Sequence, residues 1–410
     1  MLDDELPVIV IGAGLAGLAS ALTLQEAGVS VRVLEASSCV GGRVQSDQIN
    51  GYRFDRGFQL INASYPELKR LDIFKELDFR FAPRAVDVVL DGGITRLGDP
   101  RLYFSSIFAP GAGAIFEKFC FIRYLFSKSL HGASLEEELL TAGCGTFYTR
   151  VLKPFLTGVF LADPSLIDAG TGRAIVKSFI SGKPGLPAEG AGELSRVIAA
   201  KVDSIELGVQ VNSIDKWVLS TSQGEVKFKA LIVATDQTTA AQLLDLDVVG
   251  EGSTCTTWYH STPEKIDCDA VLRIDGQGSD RLRGPVINSL AISKLLPTSA
   301  PEGFTLFSST TLGHSSESEV RRHLALMWQI DNADWELVAK YDIKNALPLT
   351  SPGEATAHSL FVAPGIWRAG DYLSAPSQNG ALVSGRLAAL ELINSLQEQR
   401  EPKLHGDNPK

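Results

Sequence analysis

Residues 7–43 read PVIVIGAGLAGLASALTLQEAGVSVRVLEASSCVGGR, and the order of residue types along this stretch decides the fold. Residues 7–11 are a continuous apolar run, β-branched from Val8 on, the pattern of a strand covered on both faces in a parallel sheet. Gly12-Ala13-Gly14-Leu15-Ala16-Gly17 comes next without a gap. Leu15, Leu18, Ala19 and Leu22 then recur at helical spacing until Gly28, a residue suited to the position just after a helix. A second strand over 29–34 leads into Glu35. The unit is therefore strand, GxGxxG turn, helix and strand, with an acidic residue 18 positions past the last glycine. Each glycine has a separate duty: Gly12 permits the tight turn, Gly14 lets backbone approach a pyrophosphate, and Gly17 lets the helix lie on the strand. Leu15 and Ala16 open the helix whose N-terminus faces the phosphates, and Glu35, with Ala36 after it, accepts hydrogen bonds from ribose hydroxyls. This is a dinucleotide site.

The whole chain is consistent with a soluble protein built around such a unit. Its 410 residues suggest two or three domains. With 44% hydrophobic residues it is not a disordered chain, and with 38 basic against 48 acidic residues, a net charge of −10, it is not a general nucleic-acid binder. Cysteines at 39, 120, 144, 255 and 268 form no C-x-x-C pair and no zinc spacing, and they read as thiols in a reducing compartment. The N-terminus is acidic where a secretion signal would be basic, and no run reaches the ~18–20 apolar residues of a membrane span. The expected location is cytoplasmic, with a peripheral membrane contact as the alternative.

The residues after Glu35 separate two kinds of dinucleotide. Gly41-Gly42-Arg43 offers backbone N–H groups and a cation for a second phosphate contact. Near the other end, Gly370-Asp371 leads through a Pro/Ser/Asn-rich loop to Asn379-Gly380-Ala381 and a helix carrying Leu382, Leu387, Leu390 and Ile393. A helix N-terminus there can hold negative charge developing on the N1–C2=O side of a flavin, and the Asp371 carboxylate can bond ribityl or phosphate-side hydroxyls. Together these segments resemble the E-x-x-x-x-x-GGR and GD…NGA-x-x-SG-x-x-AA signatures of the FAD-dependent amine oxidase, protoporphyrinogen oxidase and phytoene desaturase superfamily.

That resemblance implies an α/β fold: a Rossmann-like FAD-binding domain of the GR2 type with an interleaved α+β substrate domain containing an antiparallel sheet. Its FAD-binding pieces would be 1–85, 190–250 and 345–398, the substrate domain 86–189 and 251–344, and 399–410 a flexible tail. Gly57-Phe58-Gln59 is similar to the segment passing beside the flavin. Residues 229–235 are similar to the strand that returns to the dinucleotide sheet, which puts Ala234 and Thr235 near the cofactor, and Val211 would offer its backbone to the adenine edge. Residues 155–160 and 178–187 are similar to substrate-side segments of bacterial members. No cysteine stands where some relatives attach flavin, so the FAD would be non-covalent.

Residues outside the cofactor signatures are less telling. Strands are expected at 254–260, 270–274, 286–292 and 304–310. Residues 113–130 read as a helix packed in the substrate domain, the alternative being an amphipathic helix that meets a membrane and admits a lipophilic substrate. His260 reads as a strand residue rather than a general base, Trp258, Tyr259 and Trp328 serve a cavity or the core equally well, and no catalytic acid–base group emerges. The function implied is oxidation or desaturation of a hydrophobic small molecule, carotenoid-, tetrapyrrole- or amine-like, by hydride transfer to flavin N5, with oxygen, a quinone or another carrier as electron acceptor. A redox-neutral isomerase with the same cofactor and a non-catalytic isoprenoid-binding protein on the same fold are the alternatives, and an NAD dehydrogenase would not need the C-terminal element.

Overall fold

The apolar run at the start of the chain becomes the strand Val8–Ile11, buried at every residue. It sits inside a six-stranded sheet whose spatial order is Ile205–Leu207, Val31–Glu35, Val8–Ile11, Ala230–Val233, Ile366–Arg368 and Phe361–Ala363. The first four pairings are parallel and the last is antiparallel. Parallel neighbours need a crossover, and the helix Leu15–Glu26 supplies it between Val8–Ile11 and Val31–Glu35. A three-stranded antiparallel sheet, Val211–Asp215, Val218–Thr221 and Gly224–Lys227, belongs to the same unit. The computed structural model describes residues 6–90, 93–99, 103, 108–248, 250, 252–277, 283–354 and 357–400, so nearly all of the expected 399–410 tail lies outside the described residues.

Two units make up the chain, one of 1–42, 195–249 and 357–410 and the other of 43–194 and 250–356. The second is organised on a seven-stranded sheet in the order Glu336–Ile343, Cys255–Thr262, Thr305–Leu312, Val286–Leu290, Leu272–Asp275, Ala85–Leu90 and Gly93–Gly98. All of its pairings are antiparallel except that of Leu272–Asp275 with Ala85–Leu90. One hydrophobic cluster of this unit gathers Trp258, Phe307, Trp328 and Trp335 around the helix Glu317–Trp328. The other lies among the helices of 115–181 and includes Tyr124, Leu135, Tyr148, Leu156 and Phe160.

The first division between the units falls after 42, not after 85. Residues 43–85 pair with segments of the second unit: Ile61–Asn62 and Phe79–Phe81 flank the strand Pro184–Pro187, and Ala191 N donates to Asp55 Oδ1 at 2.9 Å. Residues 345–356 likewise stay with the second unit, where Ser253 N donates to Leu347 O and Asp168 N to Thr350 O, each at 2.8 Å. These are partners distant in sequence, which composition along the chain does not reveal.

Candidate functional site

In the first unit, the strand ends Ile11, Val233 and Arg368 lie side by side, because Ile11 is in register with Val233 and Val233 with Arg368. Ala234 N continues the ladder to Ile11 O at 2.8 Å and Ala369 N to Val233 O at 2.9 Å. Every candidate of this unit sits on or next to that carboxyl edge.

The three glycines of the first turn differ in what surrounds them. Gly12 has φ +99°, and a Cβ there would stand 2.8 Å from Ala234 O. A Cβ on Gly17 would stand 1.9 Å from Gly12 O, so only glycine lets helix and strand approach. Gly14 differs: its backbone is extended, and nothing lies within 4 Å of where a Cβ would be. The helix it caps has no side-chain cap and no acidic residue in its first turn. Leu15 and Ala16 therefore begin a positive helix end with open space before it, the donor set a pyrophosphate requires. Gly41 N donates to Ala13 O at 2.8 Å, which lays the Gly41-Gly42 turn beside the same loop.

Glu35 is already oriented. Its carboxylate accepts from Ala13 N at 2.7 Å, Ser37 N at 2.9 Å and Ser37 Oγ at 2.7 Å. A carboxylate has about four acceptor positions, so one remains for a ribose hydroxyl. Ala36 is exposed next to it. The chain entering Val211–Asp215 runs alongside, with Val209 N donating to Glu35 O at 2.8 Å and Gly208 N to Ser37 O at 2.9 Å, while Val211 itself pairs with Thr221 in the three-stranded sheet.

The C-terminal segment reaches the same edge. The helix Gln378–Arg400 crosses the helix Leu15–Glu26 where a Cβ on Gly385 would stand 2.0 Å from Ala16 O, and Ser20 Oγ donates to both Ala16 O and Gly385 O, at 2.9 and 3.0 Å. Ala16 is in the first turn of one helix, and Gly385 is seven residues, or about 10 Å, along the other from Gln378, so the crossing involves the N-terminal half of the last helix. Gly370 N donates to Ser384 Oγ at 3.0 Å, and Gly380 N to Ser377 Oγ at 3.0 Å, fixing the turn that carries buried Asp371 and the start of the helix with Asn379 and Ala381. Next to Asp371 the Tyr372 hydroxyl is buried with no hydrogen-bond partner. Thr235 sits beyond Ala234 at the neighbouring strand end. Ser20, Ser37, Ser384 and Gly385 do not stand out from sequence, although the last two lie inside the C-terminal signature.

Arg43, Gly57, Phe58 and Gln59 belong to the second unit and are drawn together there. Gln59 Nε2 donates to Arg43 O at 2.8 Å, Arg43 Nη1 to Ala346 O at 2.7 Å and Phe58 N to Thr257 Oγ1 at 3.2 Å, while Gly57 has φ +104° with Ile343 Cδ1 only 2.8 Å from a Cβ position. His260 is fully buried in Cys255–Thr262, 3.4 Å from Glu317, and burial lowers its pKa to about 4, so it is neutral at pH 7 and fits the strand reading. Trp258 and Trp328 are core residues whose indole N–H groups donate to Thr311 and Ser289 at 3.0 and 2.9 Å. Tyr259 donates its hydroxyl to Asp55 O at 2.9 Å. Among the described residues no cluster of His, Cys, Asp and Glu could hold a metal ion.

An FAD fits the first unit's edge: an open, uncapped helix end for its phosphates, an oriented acid for its ribose, a second helix N-terminus, and an orphaned buried hydroxyl. Comparison with known proteins agrees. The family model of flavin containing amine oxidoreductases matches residues 15–393. A 1-hydroxycarotenoid 3,4-desaturase from Flavobacterium sp. is 40% identical over 75 residues, 18% of this chain and 15% of that protein. A putrescine oxidase from Kocuria rosea is 46% identical over 67 residues, 16% of this chain and 14% of its own. The matched stretches thus span about a seventh of these curated relatives' length. The solved structure of an oxidoreductase from Methanosarcina mazei has the same fold, with a TM-score of 0.71 at 15% identity over 94% of this chain and 100% of that one. The chain belongs to the flavin-containing amine oxidoreductase family.

Proposed function

We propose that the protein oxidises or desaturates a hydrophobic small molecule, carotenoid-, tetrapyrrole- or amine-like, with FAD held non-covalently on the carboxyl edge of the six-stranded sheet. The observation that carries this reading is the crossing at Ala16 and Gly385, which packs the first turn of the first helix against the N-terminal half of the last. Bound there, a flavin would supply a two-electron acceptor for hydride at its N5. The chain's own residues bind and orient. Backbone N–H groups of the first turn at Leu15 and Ala16 take the pyrophosphate, Glu35 takes a ribose hydroxyl, and the helix beginning at Gln378 offers its positive end to charge developing on the flavin ring.

A lipophilic substrate is supported by the helix Ile115–Phe126 in the second unit. Its inner side buries Cys120, Tyr124 and Leu125, while Phe116, Phe119 and Phe126 are 73%, 69% and 83% exposed. The exposed side also carries Arg123, with Lys128 just beyond. The one acid of this helix, Glu117, turns inward to accept from Ala114, Thr146 and Phe147 N. Such a face fits peripheral contact with a bilayer of anionic lipid. No helix among the described residues is long and apolar enough to cross a membrane.

Purification should give a yellow protein absorbing near ~450 nm. Anaerobic addition of a carotene in detergent, a porphyrinogen or an alkylamine should bleach the band for one class only, and readmitting oxygen or a quinone identifies the acceptor. Isomerised product without bleaching would replace oxidation by a redox-neutral reaction, and a colourless protein that binds no added FAD would remove the reading altogether. For the membrane contact, Phe116→Glu/Phe119→Glu should lose co-sedimentation with phosphatidylglycerol vesicles while keeping its flavin; equal sedimentation of variant and parent would reject the contact.

A further inference from the structure

We propose that a cleft on the second unit, lined by none of the cofactor-candidate residues, binds a small amphipathic anion: a carboxylate or phosphate ester on an apolar body. The cleft is shallow and open, about 400 Å3 in volume, and is lined by Phe74, Leu77, Phe79 and Phe81 together with Ala63, Lys69 and Lys183.

The aromatic lining arises from the strand Phe79–Phe81, where alternation puts both phenylalanines on one face. Their ring centroids lie 5.1 Å apart, and Phe74 meets Phe79 edge-on at 5.4 Å. Across the ladder from Phe81 stands Gly185, and a Cβ there would come within 2.5 Å of the Phe79 ring, so glycine is what lets the ring settle against the neighbouring backbone. Phe81 is left 58% exposed. An aromatic surface of this kind is held in place by the fold and yet faces water.

The charges are equally uneven. Surrounding cations are neutralised within the chain: Arg70 by Glu67 at 2.9 Å, Lys75 by Asp72 at 2.7 Å and Arg80 by Asp78 at 2.6 Å. The ammonium groups of Lys69 and Lys183 have no such partner among the described residues, and both line the cleft. On a chain of net charge −10, two unmatched ammonium groups beside an aromatic lining complement a ligand with an anionic head and an apolar body. A neutral hydrocarbon would leave the lysines unanswered, and a free inorganic anion would leave the rings wet.

The test uses the flavin-loaded protein and does not depend on its substrate. Isothermal titration calorimetry with octanoate, octyl phosphate and octanol should show saturable one-site binding of at least one anion, about tenfold or more tighter than octanol; which anion binds better identifies the head group. Lys69→Gln/Lys183→Gln alters exposed side chains only and should weaken the anion about tenfold at an unchanged melting temperature. Ala63→Trp, placed in the cleft lining, should abolish binding. Octanol binding as tightly as the anions, or an anion affinity unchanged in the lysine double variant, overturns the proposal. Inorganic phosphate competing as well as octyl phosphate would also overturn it, because the aromatic lining would then play no part.

Discussion

Two glycines only three residues apart should fail in opposite ways when substituted. At Gly14 the backbone is already extended, with φ −76° and ψ 179°, and nothing lies within 4 Å of a Cβ. Gly14→Val can therefore fold, at a cost of about 1 kcal/mol or less for replacing a good helix-cap residue by a poor one. The isopropyl group, however, would fill the space in front of the first turn, where phosphate oxygens would otherwise meet N–H donors. Losing two charge-assisted hydrogen bonds at about 1.5–3 kcal/mol each weakens FAD by roughly two to four orders of magnitude. At Gly17 even one methyl group is excluded, since a Cβ would sit 1.9 Å from Gly12 O. Gly17→Ala must push the helix off the strand and should melt well below the parent, at a cost of the order of 1–3 kcal/mol or more. The assay is flavin absorbance per mole of protein, with far-ultraviolet circular dichroism melts of both variants stripped of flavin. If Gly14→Val retains the parent's flavin content and affinity, the pyrophosphate does not lie on this turn. If it melts as badly as Gly17→Ala, the open space at Gly14 is not real.

Two further substitutions probe elements that support the sites. Burial raises the Asp55 carboxyl from 3.8 to about 6, against the opposing hydrogen bonds from Ser46 and Ala191. The folded protein then holds a proton that the unfolded chain has released between about pH 4 and 6, so stability falls as pH rises through that window, by about 3 kcal/mol in all. Asp55→Asn should gain on the parent in urea unfolding from pH 4 to 7, and a difference that stays constant with pH contradicts the buried-acid explanation. Ser384→Ala strands the buried Gly370 N–H and should cost about 1–3 kcal/mol while loosening flavin several-fold through the Asp371 turn; a variant with parental stability and parental FAD affinity would mean that this hydroxyl holds nothing.

How far the sequence could be read depended on how local each cause was. The strand–turn–helix at 7–26 is encoded largely by neighbours: a β-branched run, then glycines of which Gly17 is required by Gly12 O next to it, while Gly12 also meets the distant Ala234 O and Gly14 meets nothing within 4 Å. The division at 42 could not be read that way, because residues 46–62 are claimed by 184–192 through pairings more than a hundred positions distant. Nor could the register of the helix crossing, since the C-terminal signature includes Gly385 without naming its partner, and only the structure puts Ala16 O 2.0 Å from its missing Cβ. The helix Ile115–Phe126 marks the boundary between these cases. Its apolar spacing foretells a helix but not which side the unit's core takes, and the core takes Cys120, Tyr124 and Leu125 with Phe121 packed against it, leaving Phe116, Phe119 and Phe126 outside. A helix packed only for stability would bury its largest apolar groups first, because the gain grows with the area removed from water. Phe116, Phe119 and Phe126 thus keep apolar area that this unit's own packing does not bury, and the vesicle experiment tests whether a bilayer takes it up.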